Sequence, residues 1–294
     1  MKFLVFGASG QLGKSLIDVA TMHNRELIGL EKKDCDVTDI FAVKREISYH
    51  KPDVVVNAAA WTDVVGAEKN KLVCSLINTS GAINIASASK IHGASVIHIS
   101  TDFVFDGLAK TPIPENHNLH PLNYYGKSKA DAEIFLNEHF LDNVLILRTA
   151  WLYSSYGRNF ATRIIRHSLE NPKLKLNIVH DAFGQPTSAH DLAIKIFELG
   201  DRRIVGTTLH ATNSGATSWY EFAKLILRYV GLDENSISPI SSSEWNDGVI
   251  RPTYSVLSHG RWEELGIKPM QSWDLALGEV APKIREQVGL EIGN

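Results

Sequence analysis

The first thirteen residues constrain this chain more than any other stretch. Lys2-Phe3-Leu4-Val5-Phe6 reads as an apolar strand buried on both faces. Gly7-Ala8-Ser9-Gly10-Gln11-Leu12-Gly13 follows, and then Leu16, Ile17, Val19 and Ala20 at helical spacing. Strand, glycine-rich turn and helix together place backbone N–H groups and a helix N-terminus where a pyrophosphate can sit. The spacing is G-x-x-G-x-x-G, one residue longer than the dinucleotide fingerprint as usually written. Gly7 allows the tight turn, Gly10 a close phosphate and Gly13 the helix–strand packing, with Ser9, Gln11 and Leu12 completing the cradle. The plainer alternative is an ordinary βα turn that happens to use glycines. The chain's opening directly into the strand favours the phosphate reading.

The same rhythm continues. Residues 26–30 read as a second strand ending at Glu31, whose carboxylate suits the ribose hydroxyls of NADH. Lys32 and Lys33 follow at once and could hold the 2′-phosphate of NADPH, or form a charged solvated loop. Residues 34–39, with Asp36 and Val37, open a helix. Residues 52–56 form a strand that runs into Asn57-Ala58-Ala59-Ala60-Trp61-Thr62-Asp63, where small side chains let a ligand approach the backbone. A small-residue helix is expected over 76–90 and a strand over 95–99, ending at Ser100-Thr101-Asp102. The stretch 106–121 carries three Pro and little periodicity, so it reads as a loop. A helix over 125–139 precedes residues 143–148, which count as a sixth strand. This alternation predicts an α/β fold, a doubly wound parallel Rossmann-like sheet.

After Arg148 the alternation breaks. The stretch after Phe160 reads as an amphipathic helix through Ser168, 174–179 and 208–212 as strands, and 182–187 as a turn. Ser218-Trp219-Tyr220-Glu221 fits a capping box for a helix over 222–230. The tail from 235 mixes short segments without repeat. The expected division is residues 1–150 as the dinucleotide-binding unit, with 174–215 partly returning to it. Residues 151–173 and 216–294 form a smaller substrate lobe.

Composition narrows the class. A formal net charge of −3 gives no reason to expect nucleic acid or a membrane surface as partner. The two Cys, Cys35 and Cys74, read as reduced structural thiols of a cytoplasmic protein, and no metal signature is present. No run reaches the ~18 apolar residues of a membrane span, and the N-terminal apolar run is too short for a signal peptide. Asn78-Thr79-Ser80 is a glycosylation sequon by letter alone. His98, in an apolar strand, reads as a satisfied core histidine, and His180 and His190 are assigned no role.

Tyr125 and Lys129 lie four residues apart, so a helix sets phenol and ammonium on one face. A neighbouring ammonium lowers a phenol's pKa toward the working range of a proton donor. Alone the pattern is weak, because many helices carry it as a solvated pair.

Taken together, the glycine turn, Thr101 at a strand end and the Tyr125/Lys129 pair resemble the extended short-chain dehydrogenase/reductase family. Further stretches resemble its dTDP-4-dehydrorhamnose reductase branch. They include Asn57 to Thr62, Ser100 to Gly107, Pro121 to Gly126, Arg148 to Tyr153, Gly157 to Phe160, Asp181 to Thr187 and Arg251 to Ser255. The likeness runs to about residue 260. It implies hydride transfer from NADPH or NADH to C4 of a nucleotide-linked 4-keto-6-deoxy sugar. It implies Tyr125 as proton donor, Lys129 as the group that tunes Tyr125 and holds the nicotinamide ribose, and Thr101 on the same oxygen. Sugar contacts fall to Thr62, Val64, Phe103 and Trp151, with Arg251 a partner for the diphosphate or, alternatively, a member of a surface salt bridge. Trp151 has the alternative of a core aromatic, but its place just past a strand end favours a ligand platform.

The departures are Phe103 where many relatives carry Tyr, and Val65 where an Asp is common. Ser15 and His190 stand where some relatives hold a dimer-bridging Mg²⁺, so no metal is carried over. A monomer or homodimer is expected. Phe103 also stands where sugar-nucleotide dehydratases place a Glu, which argues for simple reduction. The rivals are a 4-ketoreductase or epimerase for another nucleotide sugar, and a non-catalytic regulatory subunit. Intact Thr101, Tyr125 and Lys129 argue against the last.

Overall fold

The computed structural model describes residues 1–293; Asn294, the last residue of the expected substrate lobe, lies outside them. Six strands form one sheet: β1 (Lys2–Phe6), β2 (Glu26–Leu30), β3 (Val54–Asn57), β4 (Ser95–Thr101), β5 (Val144–Thr149) and β6 (Thr207–His210). Their spatial order is β6-β5-β4-β3-β1-β2, and every pairing is parallel. Strand order reverses between β1 and β3, and the crevice outside such a switch point is where open α/β sheets take ligands.

Residues 143–148 are therefore the fifth strand, not the sixth. The sixth place is filled from much later in the chain, by Thr207–His210 beside β5. Apart from the edge strand β2, the strands are largely buried on both faces, which explains their near-continuous apolar runs. Phe3 and Val5 face one core with helices α1 (Gln11–Met22) and, later, α6 (Ala189–Asp201). Leu4 and Phe6 face the other, against α2 (Ile40–His50), α3 (Gly81–Ile91) and α4 (Tyr124–His139).

The expected helix over 76–90 is part of a longer helical run, Lys71–Ile91, interrupted by a π turn at Leu76–Ser80. By length and composition alone that run could cross a membrane. Here Ala82, Ile85, Ala86 and Ala88 pack it against the sheet. Asn78 of the sequon is 1% exposed and knits neighbouring segments together. The stretch 182–187 is not a plain turn: Phe183–Gly184 pairs with Thr217–Ser218, and Thr187–Ser188 with Leu152–Tyr153.

A third core joins α5 (Phe160–Glu170), α7 (Trp219–Tyr229) and α8 (Trp273–Ile292). Helix α7 starts earlier than expected. The Ser218 side chain accepts from the Glu221 amide at 3.2 Å, while the reciprocal capping box of this fold sits at Asn159 and Thr162. The tail is the larger correction, since α8 is a 20-residue helix with Pro282 inside it. Leu277, Ala281, Ile284 and Val288 recur at helical spacing and are buried. A proline reads as a breaker from sequence, and here packing of that apolar stripe overrides it.

Candidate functional site

The site forms where β1, β3 and β4 end. Gly7 has φ +87°, and a Cβ there would lie 2.6 Å from the Ala59 nitrogen and 2.7 Å from the Ala58 carbonyl oxygen. The glycine is thus required twice, by conformation and by close approach. It brings the first turn against Ala58 and Ala59, two residues expected to share a ligand with it. Gly10 caps α1 with no side-chain hydrogen bond, and no acidic residue lies in the first turn. Amides at that N-terminus suit an anion, so these residues fit a dinucleotide pyrophosphate.

Beyond β2, Glu31 is ion-paired with Lys33 at 3.1 Å. Asp36 accepts from the Thr38 amide at 2.9 Å and hydroxyl at 2.8 Å, and the backbone bond leads in holding its carboxyl below the usual range. Val37 is buried against Gly81. Gln11 does more than line the turn. It donates to the Leu152 carbonyl at 3.4 Å and accepts from Ser154 at 3.4 Å and Asn159 at 3.5 Å, bridging turn and lobe.

Thr101 is the last residue of β4, and Tyr125 lies in the first turn of α4. They meet because α4 enters against the turn after β4. A Cβ on Gly126 would lie 2.2 Å from the Phe103 carbonyl oxygen, so only glycine permits this approach. Asn123 caps α4 by accepting from the Gly126 amide at 2.9 Å. The Thr101 hydroxyl lies near enough to the Tyr125 phenol to lower its pKa, and it donates its own hydrogen to Asp102 Oδ1 at 3.1 Å. The Phe103 ring lies edge-on to Tyr125, with centroids 5.6 Å apart.

One electrostatic expectation is overturned. Tyr125 is not lowered toward neutrality: burial pushes it up to about 12, and Asp102 and Cys74 add to the rise, while the nearby Thr101 hydroxyl opposes it. The Lys129 ammonium, one turn on, is committed instead to the Ile99 carbonyl at 2.5 Å and His98 at 3.2 Å. Burial lowers Lys129 itself to about 8.

Beside these residues opens a cavity of about 1750 Å³. Thr62, Val64, Phe103, Trp151 and Arg251 all line it. Trp151 has φ +47°, rare for a bulky side chain. Its indole is stacked on Trp219 with centroids 3.5 Å apart. Trp219, also on the wall, was missed: its place after a cap signal offered no hint of a ligand wall. Arg251 is not the free cation the diphosphate role pictured. Its guanidinium is bidentate to Asp247, at 2.6 Å for each nitrogen, as in the salt-bridge alternative. Ala60, at the mouth of β3, is half-buried. Among the described residues no cluster of His, Cys, Asp and Glu is placed to hold a metal ion.

Asp102 was also overlooked. It lines the cavity, is 2% exposed, and its Oδ2 has no hydrogen-bond partner. Burial pushes it from 3.8 up to about 6, opposed by the hydroxyls of Ser255 and Thr101. The folded state therefore holds a proton that the unfolded chain has lost between these values. Stability falls as pH rises through that window, by on the order of 3 kcal/mol, and stays lower above it. We expect Asp102→Asn to melt higher relative to the parent at pH 8 than at pH 4.5. A melting difference independent of pH would contradict this.

Comparison with known proteins places these features together. The family model described as RmlD substrate binding domain matches residues 1–286. A dTDP-4-dehydrorhamnose reductase of Streptomyces griseus is 36% identical over 292 residues, covering 98% of this chain and 95% of that one. A dTDP-4-keto-6-deoxy-D-glucose reductase of Streptomyces niveus is 34% identical over 281 residues, covering 96% of each. The crystal structure of dTDP-4-dehydrorhamnose reductase from Bacillus anthracis in complex with NADP superposes with a TM-score of 0.90. It is 36% identical and covers 95% of this chain and 99% of that chain.

Proposed function

Because this chain belongs to the RmlD substrate-binding-domain family, we propose that it is an NAD(P)H-dependent oxidoreductase. Its reaction is reduction of the C4 ketone of dTDP-4-dehydro-L-rhamnose to dTDP-L-rhamnose. The observation that carries the reading is the meeting of the β4 end at Thr101 to Phe103 with the first turn of α4 at Tyr125, beside a cavity walled by Thr62, Val64, Phe103 and Trp151.

The residues divide the work. Gly7, Ser9, Gly10, Gln11, Leu12, Gly13 and Ala58 to Ala60 take the pyrophosphate side of the dinucleotide, and Glu31, Asp36 and Val37 its adenosine side. When bound, the nicotinamide supplies the hydride that reaches C4. Tyr125 gives its phenolic proton to the oxygen at C4, where negative charge develops. With its pKa up at about 12, the phenol is fully protonated at neutral pH and ready to donate. Thr101 donates to the same oxygen, and the Lys129 ammonium offsets the phenolate charge left behind and holds the ribose. Trp151 offers its face to the deoxy C6 methyl, and Thr62 a hydroxyl to the ring. Arg158 and Arg163, both on the cavity wall, supply guanidinium donors for the diphosphate, while Arg251 stays paired with Asp247. Residues 151–173 and 216–294 act as the substrate lobe. On this reading the enzyme is cytoplasmic, works as a monomer or homodimer, and needs no metal.

A second substrate has support. One relative is named for dTDP-4-keto-6-deoxy-D-glucose, and Phe103 lacks the hydroxyl a sugar could bond. The test generates the 4-keto sugar from dTDP-glucose with a dehydratase, with and without an epimerase, and follows NADPH oxidation. Oxidation only with the epimerase supports the rhamnose precursor, and oxidation without it supports the unepimerised sugar. Consumption of only a UDP- or GDP-linked keto sugar would overturn both.

Both cofactors should serve. Glu31 favours NADH, while Lys32 and Lys33 can meet the 2′-phosphate of NADPH, and the Glu31–Lys33 pair commits fully to neither. Steady-state kinetics should give kcat/KM values within about 10³-fold, roughly 4 kcal/mol. A wider gap would exclude dual use.

A further inference from the structure

Lys129 leans on a histidine that the scheme above does not use. His98 is 1% exposed, and its Nε2 lies 3.2 Å from the Lys129 ammonium. Its Nδ1 meets the side-chain amide of Asn57 at 3.0 Å. Asn57 and His98 are partners in register on β3 and β4, at the end of a strand that otherwise reads Val54-Val55-Val56. A buried parallel sheet has no structural need for such a pair, since two β-branched residues would fill the place without polar groups to match.

The protonation pattern follows from the contacts. Burial, and then the charge of Lys129, hold His98 well below its ordinary value, so the ring is neutral. Lys129, lowered by burial to about 8, is still an ammonium at neutral pH, helped by Glu133. An ammonium only donates, so Nε2 accepts and the ring hydrogen sits on Nδ1. Asn57 must then turn its amide oxygen, not its nitrogen, toward Nδ1, a half-turn of an isosteric group. The titratable groups around the ammonium are His98 from β4, Cys74 from the 71–91 run, and Glu133 and Tyr125 on α4 itself.

We propose that His98 is a positioning residue, held by Asn57 in the Nδ1–H tautomer so that a neutral acceptor fixes the Lys129 ammonium one turn from Tyr125. This rests on the reading of Lys129 given above. His98 and the Ile99 carbonyl engage two of the ammonium hydrogens, which leaves one donor with a set direction. A neutral acceptor also favours the charged amine, so losing it lowers the Lys129 pKa further.

Two measurements test this. Long-range ¹H–¹⁵N spectra of the wild-type protein should show His98 as the Nδ1–H tautomer, unchanged from about pH 5 to pH 9. An Nε2–H tautomer, or protonation near the ordinary histidine value, overturns the proposal. In kinetics, His98→Leu removes the acceptor, whereas His98→Gln sets a carbonyl oxygen about where Nε2 lies. The Leu variant should lose about tenfold or more in kcat, and the alkaline limb of kcat/KM should move down by about one pH unit. The Gln variant should restore both. Variants that melt lower yet keep the parental limb and kcat would make His98 merely structural and overturn the proposal. If the Leu variant does not fold, the tautomer alone decides. Failure of the underlying reading is separable, because Tyr125→Phe with full turnover would refute the reaction assignment without altering the tautomer.

Discussion

Tyr125→Phe should cut turnover by about 10²-fold or more while the dinucleotide still binds. The phenol is the one hydroxyl here that lies beside Thr101 at the strand end and, held up at about 12, is protonated throughout the neutral range. Its ring packs edge-on to Phe103, so the Phe variant keeps the contact and the fold. Thr101 alone then remains to meet the charge at C4. Stopped assays with the 4-keto sugar, beside fluorescence titration of NADPH, separate chemistry from binding. Near-normal turnover in the Phe variant would remove Tyr125 from the reaction. Because the phenol sits so high, the alkaline limb of the parent's rate profile should track Lys129, near 8, as the ammonium is lost with rising pH.

Glu133→Gln should destabilise the fold by about 3–5 kcal/mol, and the melting temperature should drop by about 10 °C. Glu133 is fully buried and takes three hydrogen bonds from Arg148, the shortest at 2.6 Å. It also accepts from Ser100, and Arg148 reaches the Glu115 carbonyl at 2.9 Å and His210 at 3.1 Å. Ser100, Arg148 and His210 stand on one rung of β4, β5 and β6, so the network ties α4 to the strand that arrives last. The amide leaves a buried guanidinium without its counter-charge. The double variant Glu133→Leu/Arg148→Met should lose much less, since no unpaired charge is left behind. A single variant within about 1 kcal/mol of the parent would show that the pair is not what holds this edge.

The residues of the site were legible one motif at a time, but their meeting was not. The glycine turn announced itself because Gly7 is demanded by local conformation and by a backbone contact with Ala58 and Ala59. The Tyr125/Lys129 spacing announced a shared helix face. The same spacing misled about electrostatics, because the sequence does not say that Lys129 turns to His98 or that burial outweighs any neighbouring charge on Tyr125. Asp102 and Trp219 escaped notice because neither carries a spacing signal. Each matters only through what the fold sets beside it: an unpartnered oxygen facing a cavity, and an indole under Trp151.

By itself the sequence determined the parallel α/β order of the first 150 residues, since apolar runs, small-residue turns and caps act over a few residues at a time. It determined the chemistry on offer at Thr101, Tyr125 and Lys129. Tertiary structure alone decided what depends on distant partners. It brought Thr207–His210 to the sheet as sixth strand, held α8 together across Pro282, and closed Arg251 onto Asp247. It also turned an apolar-strand histidine into the acceptor for a buried ammonium. In each case the deciding energy is desolvation or packing against residues far along the chain, which no local pattern can encode.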